Sequence, residues 1–435
     1  MCSGVESGGE YALTFDAGAY PNTPIPELST KDMHEFVSVE EARAMILASM
    51  PVLAVERVPL SECLGRTLAE KVVSREAIPP FDNSAMDGYA VRIADLEDLP
   101  AQLRIAGVIH AGSYSDEPLH PGSCVGIMTG APIPPGADTV VPVEWTKIET
   151  DGYVTITRRP QPEQHVRRAG TDVRMGATLF EPGDMVTPPA VGMLAATGYV
   201  EVAVRVRPRV AIVATGDELV GPGEPLGPGQ IRNSNGPALA AQAISAGAVV
   251  GSPLVARDEP ADIRAVLERA LEADVIVLSG GVSVGEHDFV KQVLDEMGME
   301  LLFWKVRQRP GKPLAFGILD EKPVFGLPGN PVSSAVCFEQ YVRPALARMM
   351  GRTNVVSERH TALLSTPIQK AAGLYHFVRG HAFVDEQAVL RVRDTGPQAS
   401  NVYSSVVQAN CLIHLPEEIE NPRTGTPVGI EWLRW

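Results

Sequence analysis

Basic residues, cysteines and long apolar runs are all in short supply in this 435-residue chain. There are 37 Lys and Arg against 53 Asp and Glu, a formal net charge of -16. A duplex nucleic-acid binder normally presents a basic face, so that class is disfavoured. No apolar stretch approaches the ~20 residues that a membrane-crossing helix needs. The five cysteines (Cys2, Cys63, Cys124, Cys337 and Cys411) are odd in number, scattered and without a close pair. They support neither a disulfide framework nor a zinc site, and they suit a reducing cytoplasm. Residues 1–30 have neither a basic n-region nor a continuous apolar stretch. They read as a disordered tail rather than a secretory signal. The chain also lacks G-x-G-x-x-G at a strand–helix turn and a Walker lysine loop, which disfavours a dinucleotide oxidoreductase and a P-loop ATPase.

Hydrophobic residues make up 45% of the chain, enough to bury a large interior, and the length suits three or four domains. A helix is expected over 36–50, with Ser38 and Glu41 as a capping box and Ala42, Met45, Ile46 and Met50 on one face. Residues 52–77 read as extended or mixed. Short β-like runs from 101 to 170, broken by Pro and Gly, suggest a small β unit. A further helix is expected from Pro189 to Thr197, closed by Gly198.

Strands and helices alternate most clearly from 208 to 350. Strands are expected at 210–214, 249–255, 275–278, 300–303, 314–318 and 324–326. Helices are expected at 237–246, 261–271, 289–297 and, at greater length, 332–349. Such alternation predicts right-handed crossovers and a parallel sheet covered on both faces. After Gly351 closely spaced short strands suggest a barrel or sandwich.

Polar loops punctuate this alternation: Thr215-Gly216-Asp217-Glu218, Arg257-Asp258-Glu259-Pro260, Ser279-Gly280-Gly281, Arg309-Pro310-Gly311-Lys312-Pro313 and Leu327-Pro328-Gly329-Asn330-Pro331. In a parallel sheet they gather at the carboxyl ends of the strands, where open α/β folds bind ligands. Asp217, Glu218, Asp258 and Asp288 would then share one edge, and Mg²⁺ favours carboxylates combined with substrate phosphates. The plainer alternative makes Asp258 and Asp288 helix caps. Gly280 and Gly281 could approach an anion at a helix start, though tight turns use Gly anyway. Lys305, Arg307, Arg309 and Lys312 are either a solvated charge run or an anion site on a proline-stiffened loop. The Pro328–Pro331 loop either starts a helix or cradles an oxyanion. The segment 81–90 mixes Asp82, Asn83, Ser84 and Asp87, too polar for core, with Phe81, Met86 and Tyr89. It reads as a structured loop that lends Asp87 to a site, or as a self-satisfied Asx-turn.

Together these residues resemble the molybdopterin molybdotransferase (MoeA) family, related to the E domains of gephyrin and its plant counterpart. The resemblance covers nearly the whole chain from about residue 36. It rests on the 80–90 segment, Thr129-Gly130-Ala131-Pro132, Gly136-Ala137-Asp138 and Gly170-Thr171-Asp172. It continues through Thr215 to Leu219, Ser279 to Gly285 and Leu327 to Ser333.

The resemblance implies a multidomain α/β plus β fold in an elongated homodimer. It would comprise a discontinuous helical domain (31–78 with 170–206), a β-rich insertion (79–169), a parallel-sheet molybdopterin-binding α/β domain (207–350) and a C-terminal small β-barrel (351–435). The implied activity inserts molybdate into adenylylated molybdopterin and releases AMP. Mg²⁺ would lie near Glu218, Asp258 and Asp288, with Asp87 and Asp172 also catalytic. Thr129, Gly280, Gly281, Ser283, Lys305, Arg309, Lys312, Pro328, Gly329, Pro331 and Ser400 would bind substrate. The family often has Lys where this chain has Arg309, which keeps the charge and changes its geometry. Asp87 and Thr129 would complete the pocket of the second subunit, and an adenylyltransferase and molybdoenzyme delivery proteins are possible partners. A dimeric scaffold that binds a partner peptide is the rival reading. The absence of a fused adenylyltransferase domain leads us to expect a stand-alone enzyme.

Overall fold

The computed structural model describes residues 34–281 and 289–434. The expected tail, Ser283 and Asp288 lie outside the described residues.

The Val275–Ser279 strand is buried at every position, as a parallel strand covered on both faces must be. It pairs in parallel with Arg209–Thr215 on one side and Lys322–Leu327 on the other. From its outer edge the sheet runs His34–Val37, Glu300–Val306, Ala315–Leu319, Lys322–Leu327, Val275–Ser279 and Arg209–Thr215. Val249–Val250 and Leu254–Ala256 both pair with the last of these. One face packs Val210, Ile212, Val277 and Phe325 against Ile46, Leu239, Val336 and Leu346. The other packs Val213, Ile276 and Leu278 against Ile263, Leu267, Val290 and Val293. Both faces are apolar and both are covered, so the sheet forms the centre of the molecule.

Several expectations need correction. Ala315–Leu319 runs antiparallel to both neighbours, so the sheet is mixed; the short 320–321 turn before Lys322 permits only a hairpin. The helix expected from 36 starts at Val39. Ser38 caps it with the expected box, accepting from the Glu41 N–H at 3.1 Å. His34–Val37 is instead an edge strand parallel to Glu300–Val306. This strand and the Val39–Ala48 helix therefore pack on the central sheet, although the sequence grouped them with the discontinuous unit. The strand expected over 249–255 is split in two, and the long helix after Pro331 contains a π-helical turn at Phe338–Val342.

Residues 79–169 carry a six-stranded sheet, ordered Thr139–Pro142, Gly88–Val91, Ser123–Ile127, Ala101–Ile109, Tyr153–Ile156 and Thr146–Ile148. Its core includes Val91, Leu103, Cys124 and Val154. On either side of this insertion in sequence, Val55–Pro59 pairs with Glu201–Arg205 and Val72–Val73 with Thr178–Phe180. The Pro188–Ala196 helix packs there through Leu194. The C-terminal strands close on themselves. Tyr375–Val384 pairs with Leu390–Asp394, which pairs with Arg359–Leu364, then Pro427–Trp432, then Cys411–Leu415, and back to Tyr375–Val384. Closure leaves this five-stranded barrel without free edges.

A buried polar chain fastens the barrel to the sheet. Arg43 donates to Gln340, whose Nε2 donates to Glu431 at 2.9 Å. His414 Nε2 lies 3.1 Å from Glu431, and its Nδ1 lies 2.9 Å from the Tyr375 hydroxyl. Burial pushes His414 down to about 4. The neutral ring donates from Nε2 to the carboxylate and accepts the Tyr375 proton at Nδ1. Its folded-state value lies below the ordinary 6.5, so the unfolded chain binds that proton more readily. The stability this group protects is complete above about pH 6.5 and is lost as pH falls toward 4. Unfolding free energies from urea titrations should therefore fall between pH 7 and 4.5, by up to about 1.4 kcal/mol per pH unit for one buried group. A flat profile over that window would contradict this arrangement.

Candidate active site

The sheet register places the polar loops along one rim. Ala214 is level with Ser279, and Thr215 with Ala256. Ser279 is level with Leu327, Gly326 with Ala315, and Ala315 with Trp304. The turns that begin at Thr215, Ala256, Ser279 and Leu327, and the loop that follows Val306, therefore leave the sheet at the same end. Glu300–Val306 and Arg209–Thr215 are four strand spacings apart, roughly 19 Å at ~4.8 Å each. Cations and carboxylates thus occupy opposite ends of the rim.

At the carboxylate end, Asp217 and Asp258 face each other. The Asp258 N–H donates to Asp217 Oδ1 at 3.2 Å, and the Asp217 N–H donates to Asp258 Oδ2 at 3.4 Å. Asp258 is therefore not the cap of the Pro260–Ala270 helix; Glu259 holds that position without a side-chain cap bond. Glu218 turns elsewhere. Its Oε2 would lie 2.5 Å from a Cβ built on Gly216, so its carboxylate lies over that glycine. Among the described residues no three His, Cys, Asp or Glu side chains gather to hold a metal ion. The Asp217–Asp258 pair still suits Mg²⁺, which takes one or two carboxylates and completes its shell with waters and substrate phosphates.

The Ser279–Gly281 turn is fixed by side chains the sequence did not single out. Asn235 Nδ2 donates to Ser279 Oγ at 2.8 Å and to the Gly329 carbonyl at 2.7 Å, joining this turn to the Pro328–Pro331 loop. Ser334 Oγ donates to the Pro328 carbonyl. Gly280 has φ +98, and a Cβ there would sit 2.9 Å from the Thr215 carbonyl oxygen. Thr215 Oγ1 is buried against the same turn without a hydrogen-bond partner among the described residues. Gly280→Ala should cost about 1–2 kcal/mol in backbone conformation alone, before the clash with Thr215. Melting temperature and substrate KM check this; a variant unchanged in both would contradict the tight approach.

At the cation end, Lys305 lies on the rim with φ +75, its Nζ 4.4 Å from the Trp304 ring centroid. Lys291 stands 3.9 Å from the same ring. Beside them an open, mostly apolar cleft is lined by Leu294, Met299, Leu301, Trp304, Ala315 and Gly326, among others. Arg309 has left the sheet: Gln308–Arg309 pairs with the barrel strand, level with His376. Arg309 also lies near Arg379. The latter is held by Ser405 Oγ and the Ala399 carbonyl, and burial followed by the charge of Arg309 lowers it to about 10. Ser400 accepts from the Val332 N–H at 3.3 Å, setting the barrel against the Pro328–Pro331 loop. Lys312 points to the outer edge, its Nζ 4.8 Å from the Phe36 ring centroid.

Asp87 and Thr129 lie on the insertion. Thr129 donates to Asp87 Oδ1 from its N–H at 2.7 Å and its hydroxyl at 2.8 Å. These two bonds, the backbone one first, hold the carboxyl below the usual range, so it is ionised and accepts only. Asn83 and Ser84, expected to be too polar for core, are buried. The Ser84 hydroxyl donates to the Met86 carbonyl and Ser84 pairs with Val166, so for Ser84 local bonds replace water, while Asn83 Oδ1 has no hydrogen-bond partner among the described residues. Asp172 is exposed near the base of the insertion, its N–H bonded to the Ile78 carbonyl.

A mixed sheet with one glycine-lined polar rim, a β insertion and a closed terminal barrel define a multidomain α/β protein. Residues 37–198 match the MoeA N-terminal region (domain I and II), 211–348 a probable molybdopterin binding domain, and 361–433 the MoeA C-terminal region (domain IV). The chain belongs to the MoeA family of molybdopterin molybdenumtransferases. It is 38% identical over 399 residues to the Haemophilus influenzae molybdopterin molybdenumtransferase, covering 91% of this chain and 98% of the relative. It is 39% identical over 405 residues to the Mycobacterium tuberculosis molybdopterin molybdenumtransferase 2, with coverages of 90% and 98%. The crystal structure of the molybdopterin biosynthesis protein MoeA from Pyrococcus horikoshii superposes with a TM-score of 0.78 at 30% identity, over 92% of this chain and 100% of that one.

Proposed function

We propose that this chain is a transferase that inserts molybdate into adenylylated molybdopterin, releasing AMP and forming molybdenum cofactor. One observation carries the reading: a single rim presents paired carboxylates at one end and cations at the other, in a chain of this family. Two anions must meet during the reaction, and preorganised charges of both kinds answer that need. The Gly280–Gly281 turn would receive a phosphate, and the apolar cleft beside Trp304 offers a face for a planar pterin. Arg309, Lys305 and Lys312 would neutralise the incoming oxyanion, with Ser400 bordering that end.

Asp217 and Asp258 would hold Mg²⁺, with Asp288 as a further ligand; Glu218, whose carboxylate lies over Gly216, would join them only by turning toward the pair. When bound, Mg²⁺ would offset phosphate charge as AMP departs. We further propose a homodimer in which Asp87 and Thr129 reach the rim of the second subunit, while Asp172 supports the insertion. Phe81, Met86 and Met128 are exposed around that pair, an apolar fringe suited to a second surface. Four buried thiols suit a reducing cytoplasm, and among the described residues no helix is long and apolar enough to cross a membrane. An adenylyltransferase would supply the substrate, and delivery proteins would take the product. The peptide-binding scaffold is not favoured, since the relatives above carry transferase names.

The reading is tested by incubating the chain with adenylylated molybdopterin, molybdate and Mg²⁺ and measuring AMP. Release that requires protein and molybdate supports it, and omission of Mg²⁺ should slow it. No release above the protein-free control would overturn it.

A further inference from the structure

The π-helical turn at Phe338–Val342 buries three successive polar side chains, Glu339, Gln340 and Tyr341, and sends each to a different element. Glu339 accepts from Gln242 of the Asn235–Ser245 helix at 2.8 Å. Tyr341 donates its hydroxyl proton to Gln308 Oε1, and Gln308 Nε2 donates to the Gly311 carbonyl at 3.1 Å. Gln340 leads through Glu431 and His414 to Tyr375, whose N–H donates to the Arg307 carbonyl at 2.9 Å. Two of the three routes therefore end on one loop, gripping it at 307 and again at 308–311. Gly311, at φ +89, lies so close to Cys337 Sγ that a Cβ there would overlap the sulfur. The exposed Arg309 and Lys312 project from this anchored backbone.

We propose that Gln308 and Tyr341 are positioning residues for the oxyanion subsite, fixing where Arg309 and Lys312 can reach without touching the oxyanion themselves. The inference rests on the reading of that loop as the molybdate cradle. A loop held in advance loses less conformational freedom when its cations close on an anion. Gln308 and Tyr341 are 1% exposed, and in such surroundings the loss of one partner leaves the other unsatisfied, so the loop would relax.

Tyr341→Phe removes one hydroxyl, and Gln308→Leu removes the amide's bonds to Tyr341, Gly311 and Cys337 together. Steady-state rates at varied molybdate should show KM for molybdate raised about tenfold in each, with KM for adenylylated molybdopterin within twofold of wild type. The double variant should be little worse than Gln308→Leu, because the two side chains act as a unit. Gln242→Leu is the control. It breaks the third branch of the same turn, so it should lower melting temperature and leave KM for molybdate unchanged. Equal KM increases in Gln242→Leu and Tyr341→Phe would mean general loosening and would overturn the proposal. An unchanged KM in Tyr341→Phe, with a raised KM in Arg309→Ala, would also overturn it while the cradle reading stands. If Arg309→Ala is itself unchanged, the cradle reading fails and this inference fails with it.

Discussion

Asp258→Ala should lower the rate of AMP release by about 10²–10³, the usual cost of removing one preorganised charge from a reacting centre. Folding should be spared, because Asp258 is partly exposed and its side chain accepts a single bond, at 3.4 Å from the Asp217 N–H, among the described residues. Asp87→Ala should lose activity on a similar scale for a different reason: its ionised carboxylate would act on the rim of the other subunit. Mixing the two inactive chains with subunit exchange then creates a heterodimer with one intact site and one doubly defective site. With random pairing, activity should return to about a quarter of wild type, since half of the dimers are mixed and each has one working site. Verified heterodimers that stay inactive would contradict the shared site, and a Asp258→Ala chain at wild-type rate would remove this carboxylate from the chemistry.

Glu431→Ala is the second large effect. The carboxylate sits inside the chain that joins Arg43, Gln340, His414 and Tyr375; burial pushes it up, but the hydrogen bonds from His414 and Gln340 and the charge of Arg43 outweigh that and hold it down to about 2. Its loss leaves the buried Arg43 guanidinium without that counter-charge, and breaking such a buried ion network costs about 3–5 kcal/mol. Glu201 makes a contrasting pair with Arg57, with side chains 52% and 56% exposed. Glu201→Ala should cost under about 1 kcal/mol. Urea unfolding of the two variants side by side tests the difference. Equal losses would mean that burial does not govern these ion pairs.

The rim was legible in the sequence because its loops follow apolar strands whose burial forces them to stack in register. Asp217, Asp258, Gly280 and Pro328 reach the same sheet end for that reason. The edge strand His34–Val37 was hidden: four residues with no alternation give no period, and only pairing with Glu300–Val306 makes them extended. The antiparallel Ala315–Leu319 strand was missed as such because strand direction depends on connection length rather than composition. The partnership of Asp217 with Asp258 was also invisible. Two adjacent carboxylates after one strand look alike until the turn aims Asp217 at the neighbouring loop and lays Glu218 over Gly216. Asn235, Gln308, Tyr341 and Arg379 act through contacts far apart in sequence, and no local pattern marks them.

In the proposed reaction the rim is divided, with oxyanion at the cation end and phosphate at the carboxylate end. Anomalous diffraction at the molybdenum edge from crystals soaked in molybdate tests it most directly. The account predicts a peak beside Arg309 and Ser400, against the Pro328–Pro331 loop. A peak between Asp217 and Asp258, or one confined to the insertion around Asp87, would contradict it.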